Sequence, residues 1–194
     1  AVHSADFERL RRWVVEDKVG GVVMSVGMPH SYAAKLNALQ QLAELPLLVT
    51  SDMENGPGMR RAGIYSFPHL LAQGGGTAFP PVMALGATRS DSLAYALGQV
   101  LGREARAVGV QMTFGPVLDV NSNPLNPIIN TRSFGEDPEL VGRLATAYIR
   151  GARDAGLMTT GKHFPGHGDT DVDSHLDLPR ISASRQRLDA VELR

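Results

Sequence analysis

The sequence predicts an α/β fold of the (β/α)8 TIM-barrel type, of which these residues would build about the first half. Three observations carry that expectation. Short apolar runs rich in β-branched residues alternate with longer stretches of helical periodicity, the pattern of parallel strands joined by right-handed crossovers. The segments after the strands are long and rich in Gly, Pro, Asp, Asn, His and Arg, as where an active site is built on the C-terminal face of a barrel. A nucleotide-binding sheet would instead favour a short Gly-rich first turn, and Gly20-Gly21 and Gly74-Gly75-Gly76 lack the spacing and context of a phosphate loop.

Four runs are expected as buried parallel strands: Val19 to Val26, Pro46 to Ser51, Val110 to Pro116 and Leu157 to Gly161. Ser31 to Leu45 should form a helix with Tyr32, Leu36, Leu39 and Leu42 on one side and Ser31 as its cap. Ser90 to Val108 repeats the spacing with Leu93, Leu97, Val100, Leu101 and Ala105. Asp137 to Ala155 opens Asp-Pro-Glu, placing Pro138 at the first helical position and acids in the first turn, and closes at Gly156. The long segments are Asp52 to Arg89, Leu118 to Glu136 and Lys162 to Ser184. The expected organisation is one partial domain over residues 1–194.

Composition narrows the function classes. Hydrophobic residues make up 43% and charged residues 20%, an ordinary globular balance. A net charge of −1 gives no basis for binding nucleic acid or an anionic membrane surface. No apolar run approaches the ~20 residues of a membrane span. The polar, charged opening, Ala1 to Arg12, predicts no leader peptide within these residues. The absence of Cys rules out disulfides and thiolate zinc sites, and fits a cytoplasmic or an exported protein equally.

Chemistry concentrates in Lys162 to His175, which holds three of the six histidines. His163 and His167 are four apart, but Pro165, Gly166 and Gly168 forbid the helix on which that spacing would chelate a metal. No metal and no cofactor is therefore expected. Asp173 and His175 are two apart, and in an extended segment such residues point to the same side. A carboxylate beside an imidazole fixes its tautomer and favours the imidazolium, which suits a group that gives and recovers a proton. The plain alternative is a loop histidine held by its neighbour.

The longer string Lys162-His163-Phe164-Pro165-Gly166-His167-Gly168-Asp169-Thr170, followed by Asp173-Ser174-His175 and Leu178-Pro179, closely resembles the signature of bacterial β-N-acetylglucosaminidases of glycoside hydrolase family 3. Ser51-Asp52-Met53-Glu54 resembles that family's Asp-x-Glu-Gly-Gly loop. Phe114 to Val120 resembles its Ala-Pro-Val-x-Asp-Val strand, and Asn130 to Pro138 its Arg-Ser-Phe-Gly-x-Asp-Pro segment. These motifs keep their order along nearly the whole chain.

The resemblance implies retaining hydrolysis of terminal β-linked N-acetylglucosamine, from peptidoglycan fragments or chitooligosaccharides, by a longer protein. It implies His175 as the acid/base with Asp173 as its partner, and Asp52, Arg132, Lys162 and His163 as sugar-binding residues. The carboxylate would accept from vicinal hydroxyls and the cations and imidazole would donate to hydroxyl oxygens. Arg132 and Asp137 have plainer readings, as an ion pair and as a helix cap. Asp119 is read either as a ligand contact or as support at a strand end, and His167 and Asp169 as residues that shape the loop. His3, His30 and His69 fall in no motif. Where the family has Gly-Gly, this chain has Asn55-Gly56; Asn tolerates positive φ, so the turn is expected to survive, and Arg60 matches a later Arg of that loop.

The family's nucleophile is an Asp on a later strand, and this chain ends at Arg194, nineteen residues after His175. The expectation is a piece of a longer polypeptide, inactive alone; one of two chains completing a barrel, or a non-catalytic glycan-binding module, are the other readings. An open parallel edge predicts self-association of the half-barrel. Among enzymes the alternative is phosphorolysis, because a neutral imidazole does not repel an anionic acceptor.

Overall fold

The structure, a computed structural model, describes residues 7–25, 29–58, 76–77 and 79–194. Val26, Arg60, Gly74, Gly75, His3 and His69, and the side chains of His30 and Tyr32, lie outside the described residues.

Four short strands form one parallel sheet: β1 (Gly21–Met24), β2 (Leu48–Ser51), β3 (Met112–Thr113) and β4 (Met158–Thr159). Their order in the sheet is their order in the chain, β1-β2-β3-β4. Right-handed crossovers that always step the same way place the connecting helices on one face, so the sheet is singly wound, as in a barrel. A doubly wound sheet would reverse its strand order at a switch point. The fold is thus α/β of the TIM-barrel type, with four of the eight strands of a complete barrel among the described residues.

The strands are shorter than their apolar runs because only residues with a partner on the neighbouring strand enter the ladder. Pro116 has no N–H to donate and ends regular pairing of β3. Contact between the last two segments nevertheless continues, with the Pro116 carbonyl accepting from Lys162 N–H at 3.2 Å, Val117 bridging Lys162 in parallel and Leu118 N–H donating to the Lys162 carbonyl at 2.6 Å. Among the described residues three peptide bonds are cis: Gly115-Pro116, Lys162-His163 and Phe164-Pro165.

Six α-helices are described: α1 (Phe7–Val15), α2 (Pro29–Leu42), α3 (Val82–Thr88), α4 (Asp91–Ala107), α5 (Pro138–Asp154) and α6 (Arg185–Ala190). The Ser90 and Asp137 side chains cap α4 and α5, accepting from Leu93 N–H and Glu139 N–H. Pro138 opens α5, and Gly156 follows it at φ +81°. Ser31 does not cap α2: the helix starts two residues earlier at Pro29, a residue type favoured at a first helical position. It also stops at Leu42, because the Gln40 amide pairs with both backbone groups of Leu47 at 2.9 Å and turns the chain into β2. Two expected core positions are exposed, Leu42 and Leu93; on α4 the buried face runs instead through Ala94, Leu97, Gly98, Leu101, Gly102 and Ala105. No signal marked α1, α3 or the 3-10 turn at Asn130–Arg132.

The core lies between the sheet and its helices. Met24 and Val49 face the helices within the cluster that holds Leu101, Leu144 and Tyr148, and Ser51 and Thr113 on the same face are buried as well. Among the described residues, no helix is long and apolar enough to cross a membrane.

Candidate active site

Parallel strands deliver the residues that follow them to one end of the sheet, which is why residues more than a hundred positions apart meet here. Asp52 directly follows β2, Asp119 follows the extension of β3, and Lys162 and His163 follow β4. Lys162 Nζ donates to Asp52 Oδ1 at 2.8 Å and lies 2.7 Å from Glu54 Oε1. Arg132, on the 3-10 turn, forks onto Glu54 from the other side, Nε to Oε2 at 2.9 Å and Nη2 to Oε1 at 2.7 Å. Its Nη1 donates to the Ile128 carbonyl at 2.9 Å. Asp52, Lys162, Glu54 and Arg132 therefore form a row of alternating charge.

Glu54 is the centre of that row, and its side chain is only 6% exposed. Burial alone would push its carboxyl up, but the hydrogen bonds and charges of Arg132 and Lys162 outweigh it and hold the group below its ordinary value of 4.5. The backbone that carries it is fixed from beneath: the buried Tyr148 hydroxyl, on α5, donates to the carbonyls of Met53 and Glu54 at 3.3 and 3.2 Å. Burial, reinforced by the Glu54 charge, drives the Tyr148 phenol far up, so it stays a donor. The turn beyond departs from expectation in one detail. Gly56, at φ +103°, takes the left-handed position, and Asn55 instead donates through its amide to the Phe79 carbonyl at 2.8 Å.

His163 sits beside this row on a buried carboxylate. Asp119 Oδ2 accepts from His163 Nδ1 at 2.6 Å and from the His163 backbone at 3.2 Å, and its Oδ1 accepts from His167 N–H at 2.5 Å. An ionised carboxylate can only accept, so Nδ1 carries the proton and Nε2 is the ring nitrogen left for a ligand. Asp119 itself, its side chain fully buried, supports the strand end from behind. His167 is turned away from a shared ligand with His163: its Nδ1 is bonded to the Thr170 hydroxyl, and the two rings meet edge to face at 5.8 Å. Among the described residues no group of three metal-type ligands gathers.

Asp173 and His175 form a second unit. Asp173 Oδ1 accepts from His175 N–H at 2.9 Å and from His175 Nδ1 at 2.7 Å. The pair meets through a turn and not through an extended segment, since Leu176 and Asp177 N–H both return to the Asp173 carbonyl. A side-chain oxygen bonding the N–H two residues on is the Asx turn, which replaces strand geometry at such residues. These bonds, the backbone one first, hold the Asp173 carboxyl below its usual range. The His175 side chain is 65% exposed, with Nε2 unclaimed by Asp173.

Glu54 carried no assigned role in the sequence, although it stood inside a quoted motif two residues from Asp52, a spacing that keeps side chains on one side. Tyr148, within α5, was not singled out by any sequence signal.

Comparison with known proteins shows what the chain as a whole is similar to. The chain is 38% identical over 186 residues to a β-hexosaminidase A of Pseudoalteromonas piscicida, covering 90% of the chain and 29% of that protein. A glycoside hydrolase family 3 β-N-acetylglucosaminidase structure from Paenibacillus sp. str. FPU-7 superposes with a TM-score of 0.84 at 41% identity, over 98% of this chain and 35% of that one. A β-glucoside phosphorylase structure matches with a TM-score of 0.71 at 34% identity, over 90% and 31%. The chain thus spans about a third of each of these proteins, and about half the length of other curated relatives. Residues 1–194 match the glycosyl hydrolase family 3 N-terminal domain, and the chain belongs to that family.

Proposed function

We propose that the protein containing this chain removes terminal β-linked N-acetylglucosamine from peptidoglycan fragments or chitooligosaccharides, with retention of configuration. The observation that carries this reading is the Asp173–His175 pair, whose carboxylate holds Nδ1 at 2.7 Å and leaves Nε2 open to a ligand. The names of the hexosaminidase relatives support the sugar. In the reading, Asp52 accepts from sugar hydroxyls, Lys162 and Arg132 donate to them, and His163 offers Nε2, an acceptor while the ring is neutral.

Two steps follow. A carboxylate outside these residues, the nucleophile that the family resemblance implies, attacks the anomeric carbon. The bond to the leaving oxygen breaks, and that oxygen takes the proton from His175 Nε2. Water then attacks the same carbon, His175 Nε2 takes its proton, and the carboxylate is released. Asp173 holds Nδ1 throughout and steadies the imidazolium that gives the proton in the first step and forms again in the second.

In the full-length protein, His175→Ala should cut turnover of natural glycosides by roughly 100-fold or more while sparing aryl glycosides with good leaving groups, which need little protonation. Asp173→Asn should give a milder form of the same split. Equal loss across leaving groups would make His175 structural. Running the wild-type reaction with and without phosphate separates hydrolysis from phosphorolysis, the reading that the phosphorylase relative favours. Binding of N-acetylglucosamine without any turnover would point to a glycan-binding module.

A further inference from the structure

Asn126 is a loop residue with no place in the site described above, yet its side-chain amide is buried and completely used. Its Oδ1 accepts from the N–H groups of Ile128 and Ile129 at 2.9 and 2.7 Å. Its Nδ2 donates to the carbonyls of His167 and Thr170 at 2.7 and 3.0 Å. Two lone pairs and two hydrogens are all that an amide offers, so none is spare.

The two sides of that amide hold different things. Ile128 and Ile129 are the residues on which Arg132 rests, through Arg132 Nη1 to the Ile128 carbonyl and Arg132 N–H to the Ile129 carbonyl at 2.8 Å. His167 and Thr170 are the root of the loop that carries Asp173 and His175 three to five residues later. Asn123 adds a weaker tie, Nδ2 to the Thr170 carbonyl at 3.2 Å and N–H to the Gly168 carbonyl at 3.2 Å. Beyond Thr170 the loop turns outward, and the Asp173–His175 unit is held by its own turn.

We propose that Asn126 is a positioning residue whose buried amide staples the root of the acid/base loop to the segment that presents Arg132, so that His175 and the charged row keep a fixed spacing. This rests on the reading of His175 as the acid/base. Proton transfer demands that Nε2 reach the leaving oxygen within hydrogen-bond distance, and misplacement by about 1 Å can cost roughly 100-fold.

The two sides can be cut separately. Asn126→Asp keeps an oxygen for Ile128 and Ile129 but turns the other oxygen onto the carbonyls of His167 and Thr170, so only the loop root is released. Asn126→Ala releases both. In the full-length protein, kcat and KM are measured on aryl N-acetylglucosaminides of graded leaving-group ability, with His175→Ala alongside and amide hydrogen exchange followed over residues 167–178. Asn126→Asp should lower kcat on poor leaving groups roughly 10- to 100-fold, with less effect on good ones and KM nearly unchanged, and should speed exchange in that segment. Asn126→Ala should raise KM as well. If His175→Ala splits by leaving group and Asn126→Asp does not, the staple is wrong and the acid/base reading stands. If His175→Ala shows no split, that reading falls, and exchange at 167–178 alone decides: unchanged exchange in Asn126→Asp overturns the staple. Should Asn126→Asp fail to fold, Asn123→Ala is read in the same way, with a smaller split expected and no split at all counting against the proposal.

Discussion

Asp52, Lys162, Glu54 and Arg132 alternate in sign, so each charge is offset by its neighbours, and the member least able to find water is Glu54. Removing one partner from a buried pair leaves an uncompensated charge, typically at a cost of about 3–5 kcal/mol. Glu54→Leu should approach that figure in denaturant unfolding, because it strands Arg132 and leaves Lys162 with Asp52 alone. Glu54→Gln, which keeps one accepting oxygen, should cost less, about 1–3 kcal/mol. The pH dependence has a definite sign. The folded carboxyl lies below its ordinary value of 4.5, so its contribution is fully present above that value and is lost as pH falls through the folded one. The gap between wild type and Glu54→Gln should therefore narrow as pH drops below about 4.5; a gap that stays constant to pH 3 would contradict the ion-pair account. This row also explains what was legible beforehand. Asp52, Arg132, Lys162 and His163 were named through the family resemblance of the motifs that hold them, whereas Glu54 and Asn126 act through partners that only the folded chain brings near.

Helices α4 and α5 approach each other closely, and glycine makes that possible. A Cβ on Gly98 would stand 2.2 Å from the Tyr148 carbonyl oxygen, and one on Gly151 would stand 2.0 Å from that of Tyr95. Gly142, on the same helix α5, has nothing within 4 Å. Gly98→Ala should thus force the helices apart and lower Tm, while Gly142→Ala should stabilise by about 0.5–1 kcal/mol through helix propensity. Thermal unfolding of both variants checks this, and a Gly98→Ala protein as stable as wild type would contradict the packing. Helices α4 and α5 were legible to within a residue of their ends because Ser90, Asp137 and Pro138 are local signals. Strand ends were not, since a strand ends where its neighbour stops pairing. Ser31 failed as a cap for a related reason: Pro29 competes for the start, and sequence alone does not rank them. The seven-residue α3 is too short to show a period.

At the scale of the whole molecule, the described residues cover the sheet more fully on one face than on the other. Register places Gly21 beside Leu48, Val23 beside Thr50, and Met112 between Thr50 and Met158, so these side chains share the face away from the helices. On it Val23, Leu48 and Met158 are 45, 39 and 51% exposed. The 194-residue chain studied by itself should therefore associate or unfold readily, as bare apolar faces and open parallel edges do. Sedimentation tests this: a stable monomer at tens of micromolar would contradict it. The same strand order has a consequence for biosynthesis. Because β1, β2, β3 and β4 are neighbours in the order they leave the ribosome, each can be laid on a strand already in place, with no later strand needed between two earlier ones. Asp52, Asp119 and Lys162 would then stand together as soon as β4 is paired, and the side that must wait for shelter during translation is the hollow one, where Val23, Leu48 and Met158 are the segment's claim on a chaperone.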